Sequence, residues 1–286
     1  MPILALLFGF SLFGIHFGNP SLPFKQTERF VVDVRQTMPL SVSTASGDIT
    51  VVRGVAHQIE VTVVKRGQTP AQLAGLHVRR HVSDTAVSLQ ARYPSGCNWN
   101  CGQVSFRIAV PPMTRLTLVT SSGDVVVKQM SASVAATTAS GDVQIDGAAR
   151  SPQSWVRIKD SSGDISIADI TGTVSASDSS GDISASELSG SATLISSSGD
   201  VRAAVSSLAA VKKLKLHTSS GDVWLGLPAR PSVDLHAATA SGSIRSNLGL
   251  SIHGEYGSRS VDARLGTGAT AISLSTASGD IAIDAR

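Results

Sequence analysis

"DSSGDISIADITGTVSASDSSGDIS", Asp160 to Ser184, contains the phrase Ser-Ser-Gly-Asp-Ile twice, eighteen positions apart. The same triplet, Ser-Gly-Asp, recurs with glycines at Gly47, Gly123, Gly141, Gly163, Gly181, Gly199, Gly221 and Gly279, and a variant copy is Ser241-Gly242-Ser243. From Gly123 to Gly242 the intervals are 18, 22, 18, 18, 22 and 21 residues. A short, nearly regular period of this kind signals stacked structural units.

Aligned on their glycines, the copies agree well beyond the triplet. Two positions after each Gly stands a β-branched residue: Ile49, Val125, Val143, Ile165, Ile183, Val201, Val223, Ile244 or Ile281. Apolar pairs precede it by seven and five positions, among them Leu40 and Val42, Leu116 and Leu118, Val156 and Ile158, Leu214 and Leu216, and Ile272 and Leu274. Alternation of period two on both sides of the glycine predicts strand, corner, strand, with odd offsets before the corner and even offsets after it facing inward. One such unit cannot bury its inward row alone. Stacked on its neighbours about 4.8 Å apart it can, so the expected fold is all-β, a parallel β-solenoid. Connectors such as Ala168 to Thr173 and Ser186 to Ser191 carry one more apolar residue, Ile170 or Leu188, expected to close a third side.

Within the phrase, Gly is expected to turn the chain through positive φ. The aspartates beside it, Asp48, Asp124, Asp142, Asp164, Asp182, Asp200, Asp222 and Asp280, are expected to accept backbone N–H groups as in an Asx-turn, with the serines satisfying carbonyls at the bend. The rival reading is a stacked carboxylate edge that binds cations. Like charges about 4.8 Å apart in water repel by roughly 0.9 kcal/mol per pair, so the row has to be either solvated and backbone-bonded or neutralised. The Gly-Gly-x-Gly-x-Asp spacing of calcium-binding nonapeptide solenoids is absent.

Composition agrees with this fold. Of 286 residues 42% are hydrophobic, 4% aromatic and 16% charged, with a net charge of +3. That is enough apolar content for a long core, and there is neither a dense basic run nor basic and aromatic residues interleaved as nucleic acid would require. Ile3 to Phe17 forms an apolar run of the length of a signal-peptide core, short for a membrane span, so residues 1–20 read as a signal peptide or N-terminal anchor and residues 21–286 as the solenoid domain. Any membrane contact is expected only through that segment. Cys97 and Cys101 are close enough to pair at the tip of a hairpin; an oxidised loop of this size contributes about 2 kcal/mol and fits an exported protein. A metal site is the rival, but C-x-x-x-C here has no second ligand pair.

Residues 52–115 interrupt the repeat and contain longer alternating stretches, Gln58 to Val64, Leu76 to Val82, Thr85 to Ala91 and Val104 to Val110. They read as an antiparallel insert that caps the exposed first coil. At the other end the strand before Arg286 is expected to be an edge guarded by little more than Asp284 and Arg286, open to end-to-end self-association.

The order "VSTASGDITV", an alternating insert, then "FRIAVPPMTRLTLVTSSGDVVV" and a run of SGD units resembles the bacterial putative-adhesin family, envelope β-solenoids of unknown function, over roughly residues 28–286. The resemblance implies a right-handed solenoid, exported or surface-anchored, with no catalytic residues to carry over. The residues themselves agree: no nucleophile elbow, H-E-x-x-H or Walker sequence occurs, and the acids are spread one per coil instead of clustering in a cleft. His217 and His236 fall at outward offsets of adjacent units and read as surface residues. The expectation is a non-catalytic envelope or secreted scaffold that uses no cofactor and binds a protein or cell-wall ligand. The alternatives are a carbohydrate-binding module and a polysaccharide-degrading enzyme on a β-helix.

Overall fold

The computed structural model describes residues 22–34, 37–95, 101–248 and 259–286. They form two twelve-stranded sheets that face each other across one apolar interior. Each coil contributes one strand to each sheet, and the two meet at the glycine corner. In the middle of the stack the coils follow chain order: Leu116–Val119 with Val125–Lys128, Val134–Thr137 with Val143–Asp146, Trp155–Lys159 with Ile165–Ile170, Thr173–Ser177 with Ile183–Leu188, Ala192–Ile195 with Val201–Val205, and Lys213–Ser220 with Val223–Leu227. All these neighbours pair in parallel, in register but for one shift between Ala185 and Leu188 against Val201–Val205. The chain is thus an all-β parallel solenoid.

Register carries the inward rows from coil to coil. Ile49, Val125, Val143, Ile165, Ile183, Val201, Val223 and Ile281 are successive partners on one sheet, and all are almost completely buried. Leu40, Leu116, Val134, Val156, Val174, Ala192 and Leu214 do the same on the other. Each such aliphatic side chain contributes about 1.5–3 kcal/mol of burial, so the rod is held together by these rows and by the β-ladders between coils. Ile170 and Leu188 are buried, but they do not form a separate third wall. They pair with each other at the far ends of their strands, just beyond Asp169 and Glu187, which hold φ of 55° and 52° and re-aim the chain inward.

The ends depart from chain order. The strands Val87–Arg92 and Gln103–Val110, expected to be antiparallel, pair in parallel with Leu40–Ser43 and Ile49–Arg53 and form a coil of their own outside the first Ser-Gly-Asp coil. Alternation reports that a strand is half-buried and says nothing of the direction of its partner. The antiparallel cap is narrower than residues 52–115. It consists of Gln58–Gly67, placed between Phe24–Asp33 and Gln103–Val110, and of His77–Val82 beside Val87–Arg92. A single helical turn, Pro70–Ala74, links them, with the Thr69 hydroxyl accepting from the Gln72 N–H at 3.1 Å.

At the opposite end the expected open edge is occupied. Ile281–Ala285 lies between Val223–Leu227 and Ile244–Ser246, and Thr270–Ser278 between Lys213–Ser220 and Val233–Ser241. The last coil in the chain is inserted beneath the last but one. The outermost strands here are Ile244–Ser246 and the antiparallel Arg259–Leu265.

Candidate functional site

The corners form one continuous ridge along the stack. Serines of successive triplets are bridge partners, Ser46 with Ser122, Ser122 with Ser140, Ser162 with Ser180, and on through Ser198 to Ser220. Eight of the nine corner Gly N–H groups donate to the serine carbonyl of the next coil, as Gly47 does to Ser122 at 2.8 Å and Gly199 to Ser220 at 2.9 Å. The glycine answers two demands, the expected one at most corners and a second at all of them. Positive φ, from +127° to +151°, holds at Gly47, Gly123, Gly141, Gly163, Gly199, Gly221 and Gly279 but not at Gly181 or Gly242. Common to all nine is close approach: a Cβ would stand 1.9–2.5 Å from a carbonyl oxygen of the coil beneath. Backbone cannot yield to such a contact, so stacking itself excludes a side chain.

The aspartates bond between coils and not within their own turn. Asp142 N–H donates to Asp124 Oδ1 at 3.0 Å, Asp164 to Asp142 at 2.9 Å, Asp182 to Asp164 at 3.0 Å, and Asp200 to Asp182, Asp222 to Asp200 and Asp280 to Asp222 each at 2.8 Å. Asp124 reaches Asp48 at 3.3 Å. The row ends in serines: Asp48 N–H meets the Ser105 hydroxyl, and Ser243 donates both its N–H and its hydroxyl to Asp280. Arg202 pairs with Asp182 and Asp200, and Arg245 with Asp280. Among the described residues no group of three or more His, Cys, Asp or Glu is arranged to hold a metal ion.

Beneath the ridge runs a second column, three positions before each glycine, which the sequence reading passed over. Thr44, Thr120, Thr138, Ser196, Thr218, Thr276 and Thr239 turn their hydroxyls inward and donate to the corner carbonyl of the neighbouring coil, at 2.9–3.5 Å. Two coils in mid-stack carry Asp160 and Asp178 there instead, both at least nine-tenths buried. Burial pushes both carboxyls above the ordinary aspartate value. For Asp160 the Ser161 and Ser162 N–H groups oppose this and the charge of Asp142 adds to it; for Asp178 the Ser179 and Ser180 N–H groups oppose it, while Asp160 and Asp164 add to it.

The two broad outer faces are polar and shallow. One row runs Val126, Gln144, Ser166, Ser184, Arg202 and Trp224. The tryptophan faces are occupied: Arg157 lies 4.4 Å from the Trp155 ring and Arg286 4.7 Å from that of Trp224, whose Nε1 donates to Asp284. His217 Nδ1 is 2.8 Å from the Ser275 hydroxyl and His236 Nδ1 2.7 Å from Asp262 Oδ1, on separate strands of one open face. A recess of about 410 Å³ lies along the connectors of the first coils, lined by Thr37, Met113, Arg115, Ser133 and Gln153 among others. At the N-terminal end the outer strand exposes His77, Arg79 and His81, and Arg80 stacks on Phe30 at 4.4 Å. Cys101 is disulfide-bonded; Cys97, Trp99 and the apolar run Ile3 to Phe17 lie outside the described residues. No helix among the described residues is long and apolar enough to cross a membrane.

Two facing parallel sheets, a glycine ridge with interlocked aspartates and broad polar faces define a β-solenoid repeat protein. The chain belongs to the family described as Toastrack DUF4097, which matches residues 40–284. No curated protein matches it. Among solved structures it is similar to a putative adhesin from Bacteroides fragilis NCTC 9343, at 11% identity and a TM-score of 0.44 over 91% of this chain and 97% of that one. It is also similar to a putative cell adhesion protein from Clostridium sporogenes ATCC 15579, at 12% identity and 0.32, covering 92% and 100% of the two chains. A putative adhesin from Parabacteroides merdae ATCC 43184 aligns at 7% identity and 0.33, covering 92% and 96%. Likenesses at these values bear on neither ligand nor activity.

Proposed function

We propose that the protein is a non-catalytic adhesion or interaction scaffold, exported to the cell envelope, that binds a protein or cell-wall ligand along its outer faces. The observation that carries this reading is the use made of polar chemistry in the stack. The ridge carboxylates accept N–H groups from the next coil, and the column of hydroxyls beneath them bonds to corner carbonyls, so the groups most able to react are spent on joining coils. What is left outside is a long, nearly flat polar surface, suited to extended contact and poorly suited to enclosing a substrate. The disulfide at Cys101 fits an oxidising compartment, and membership of the Toastrack family fits an adhesin-like role. Because an Arg lies over each described tryptophan, stacking of sugars is the less favoured mode of binding.

The test is to immobilise the full chain, probe it with solubilised envelope proteins, cell-wall fragments and a glycan array, and assay the same polysaccharides for release of reducing ends. Saturable binding to protein or cell wall without turnover supports the scaffold. Release of reducing ends by the purified chain would overturn it.

A further inference from the structure

The column beneath the ridge points to a proton-dependent clasp. In seven coils a threonine or serine hydroxyl at this place donates to the corner carbonyl of the coil next to it, for instance Thr138 to Gly123, Ser196 to Gly181 and Thr239 to Gly279. Asp160 and Asp178 stand at the same place in adjacent coils, where the carbonyls to be met are those of Gly141 and Gly163. Their position matches the hydroxyls: a Cβ built on Gly163 would lie 2.4 Å from Gly141 O and 2.9 Å from Asp160 Oδ2, and one on Gly181 would lie 2.1 Å from Gly163 O and 2.8 Å from Asp178 Oδ2. The same construction at Gly242 meets Gly279 O at 1.9 Å and the Thr239 hydroxyl at 3.1 Å. Asp160 Oδ1 accepts from the Ser161 and Ser162 N–H groups at 2.6 and 3.3 Å. Its Oδ2 and both carboxyl oxygens of Asp178 are buried and complete no hydrogen bond; the Ser179 and Ser180 N–H groups approach Asp178 without reaching bonding geometry. A carboxylate buried against a carbonyl oxygen has no proton to share, an arrangement that costs more than leaving a neutral acid there.

We propose that Asp160 and Asp178 are neutral carboxylic acids in the folded rod, each donating its O–H to the Gly141 or Gly163 carbonyl, so that these two coils form a clasp that is shut in mild acid and loosened by base. Neither takes part in an ion pair among the described residues. The charged groups acting on them are acidic: Asp142 from the coil before Asp160, and for Asp178 its neighbour Asp160 together with Asp164. On the far side, Asp182 and Asp200 are engaged with Arg202, and the next member of the column is the neutral Ser196. Among the described residues no cation acts on either carboxyl to hold its ionised form. The direction of the pH effect follows. A group that holds its proton more tightly when folded than when unfolded contributes stability below its unfolded value and loses it as pH rises through the folded one.

The test uses the full chain, with wild type compared to Asp160→Thr, Asp178→Thr and the double variant, which restore the hydroxyl found in the other coils. Thermal midpoints are measured between about pH 4 and 8. The wild-type midpoint is expected to fall with rising pH more steeply than that of the double variant, and the double variant is expected to melt roughly 3–6 °C higher at the alkaline end. Equal slopes, or a double variant that melts lower than wild type throughout, would overturn the clasp. So would a wild-type midpoint at alkaline pH that is restored by calcium or sodium, since a cation would then be the missing partner. Should the variants not fold, carbon NMR of aspartate-labelled wild type decides. Two carboxyl resonances that titrate above all others support the proposal, and a set that titrates wholly in the ordinary range refutes it.

Discussion

The middle of the rod and its N-terminal end solve the corner differently. From Gly123 to Gly221 every coil places Gly where a Cβ would strike the carbonyl of the coil beneath, at 2.1–2.4 Å. In the outermost coil the equivalent residue is Val104, whose N–H donates to Ser46 O at 2.8 Å as a corner glycine would. Valine is tolerated there because the neighbour on its outer side is the antiparallel strand Gln58–Gly67, in which Val104 faces Lys65 and meets no corner carbonyl. Ser105 likewise replaces Asp, and its hydroxyl accepts the Asp48 N–H. The comparison separates two demands: the corner as such tolerates a side chain, and a coil underneath forbids it.

Substitutions can break or sharpen that contrast. The largest effect is expected from Gly181→Val. Its φ lies outside the left-handed region, so the penalty is close approach, to Gly163 O at 2.1 Å and to Asp178 Oδ2 at 2.8 Å, and a loss of more than about 3 kcal/mol in denaturant unfolding is expected. Val104→Gly in the end coil removes a buried side chain but no clash, and should cost about 2–3 kcal/mol. Next comes Glu28→Ala, which leaves the buried Lys65 ammonium without the carboxylate 2.5 Å away; about 2 kcal/mol should be lost, confined to the cap and visible as faster amide exchange in Gln58–Gly67. Tyr93→Phe removes the hydroxyl that bonds Thr44 and both the N–H and carbonyl of Ser46, and a loss of about 1 kcal/mol is expected. The smallest effect belongs to Asp164→Asn. The amide oxygen still accepts the Asp182 N–H, so the melting curve should move by less than about 0.5 kcal/mol. A large loss there would mean that the ridge charge matters more than the bond.

Much of the central rod could be read directly, because Ser-Gly-Asp and the alternating Ile and Val residues around it repeat at 18 to 22 residues. The end coil could not be recognised: it lacks the glycine that marks the others, and Tyr93 to Gly102 separates its two strands. Nor could the stacking order at the far end be foreseen. Ile272 and Leu274 fit equally well beside Leu214 and Leu216 or beside Leu235 and Ala237, and they touch both pairs. The hydroxyl column was present in the alignment three positions before each glycine. It is not legible there because polar residues near a turn look like solvent-facing ones, whereas Thr218 is fully buried. Asp160 and Asp178 were hidden for the same reason, lying beside the more conspicuous ridge aspartates.

The inserted last coil also sets an order on synthesis. As the chain emerges, each coil from Val134 to Leu227 can settle on the one before. Val233–Ser246 arrives ahead of the strands that separate it from them, Thr270–Ser278 and Ile281–Ala285. Its final resting place exists only when translation has passed Ala285, so the distal end of the rod closes last, as a single event joining two coils.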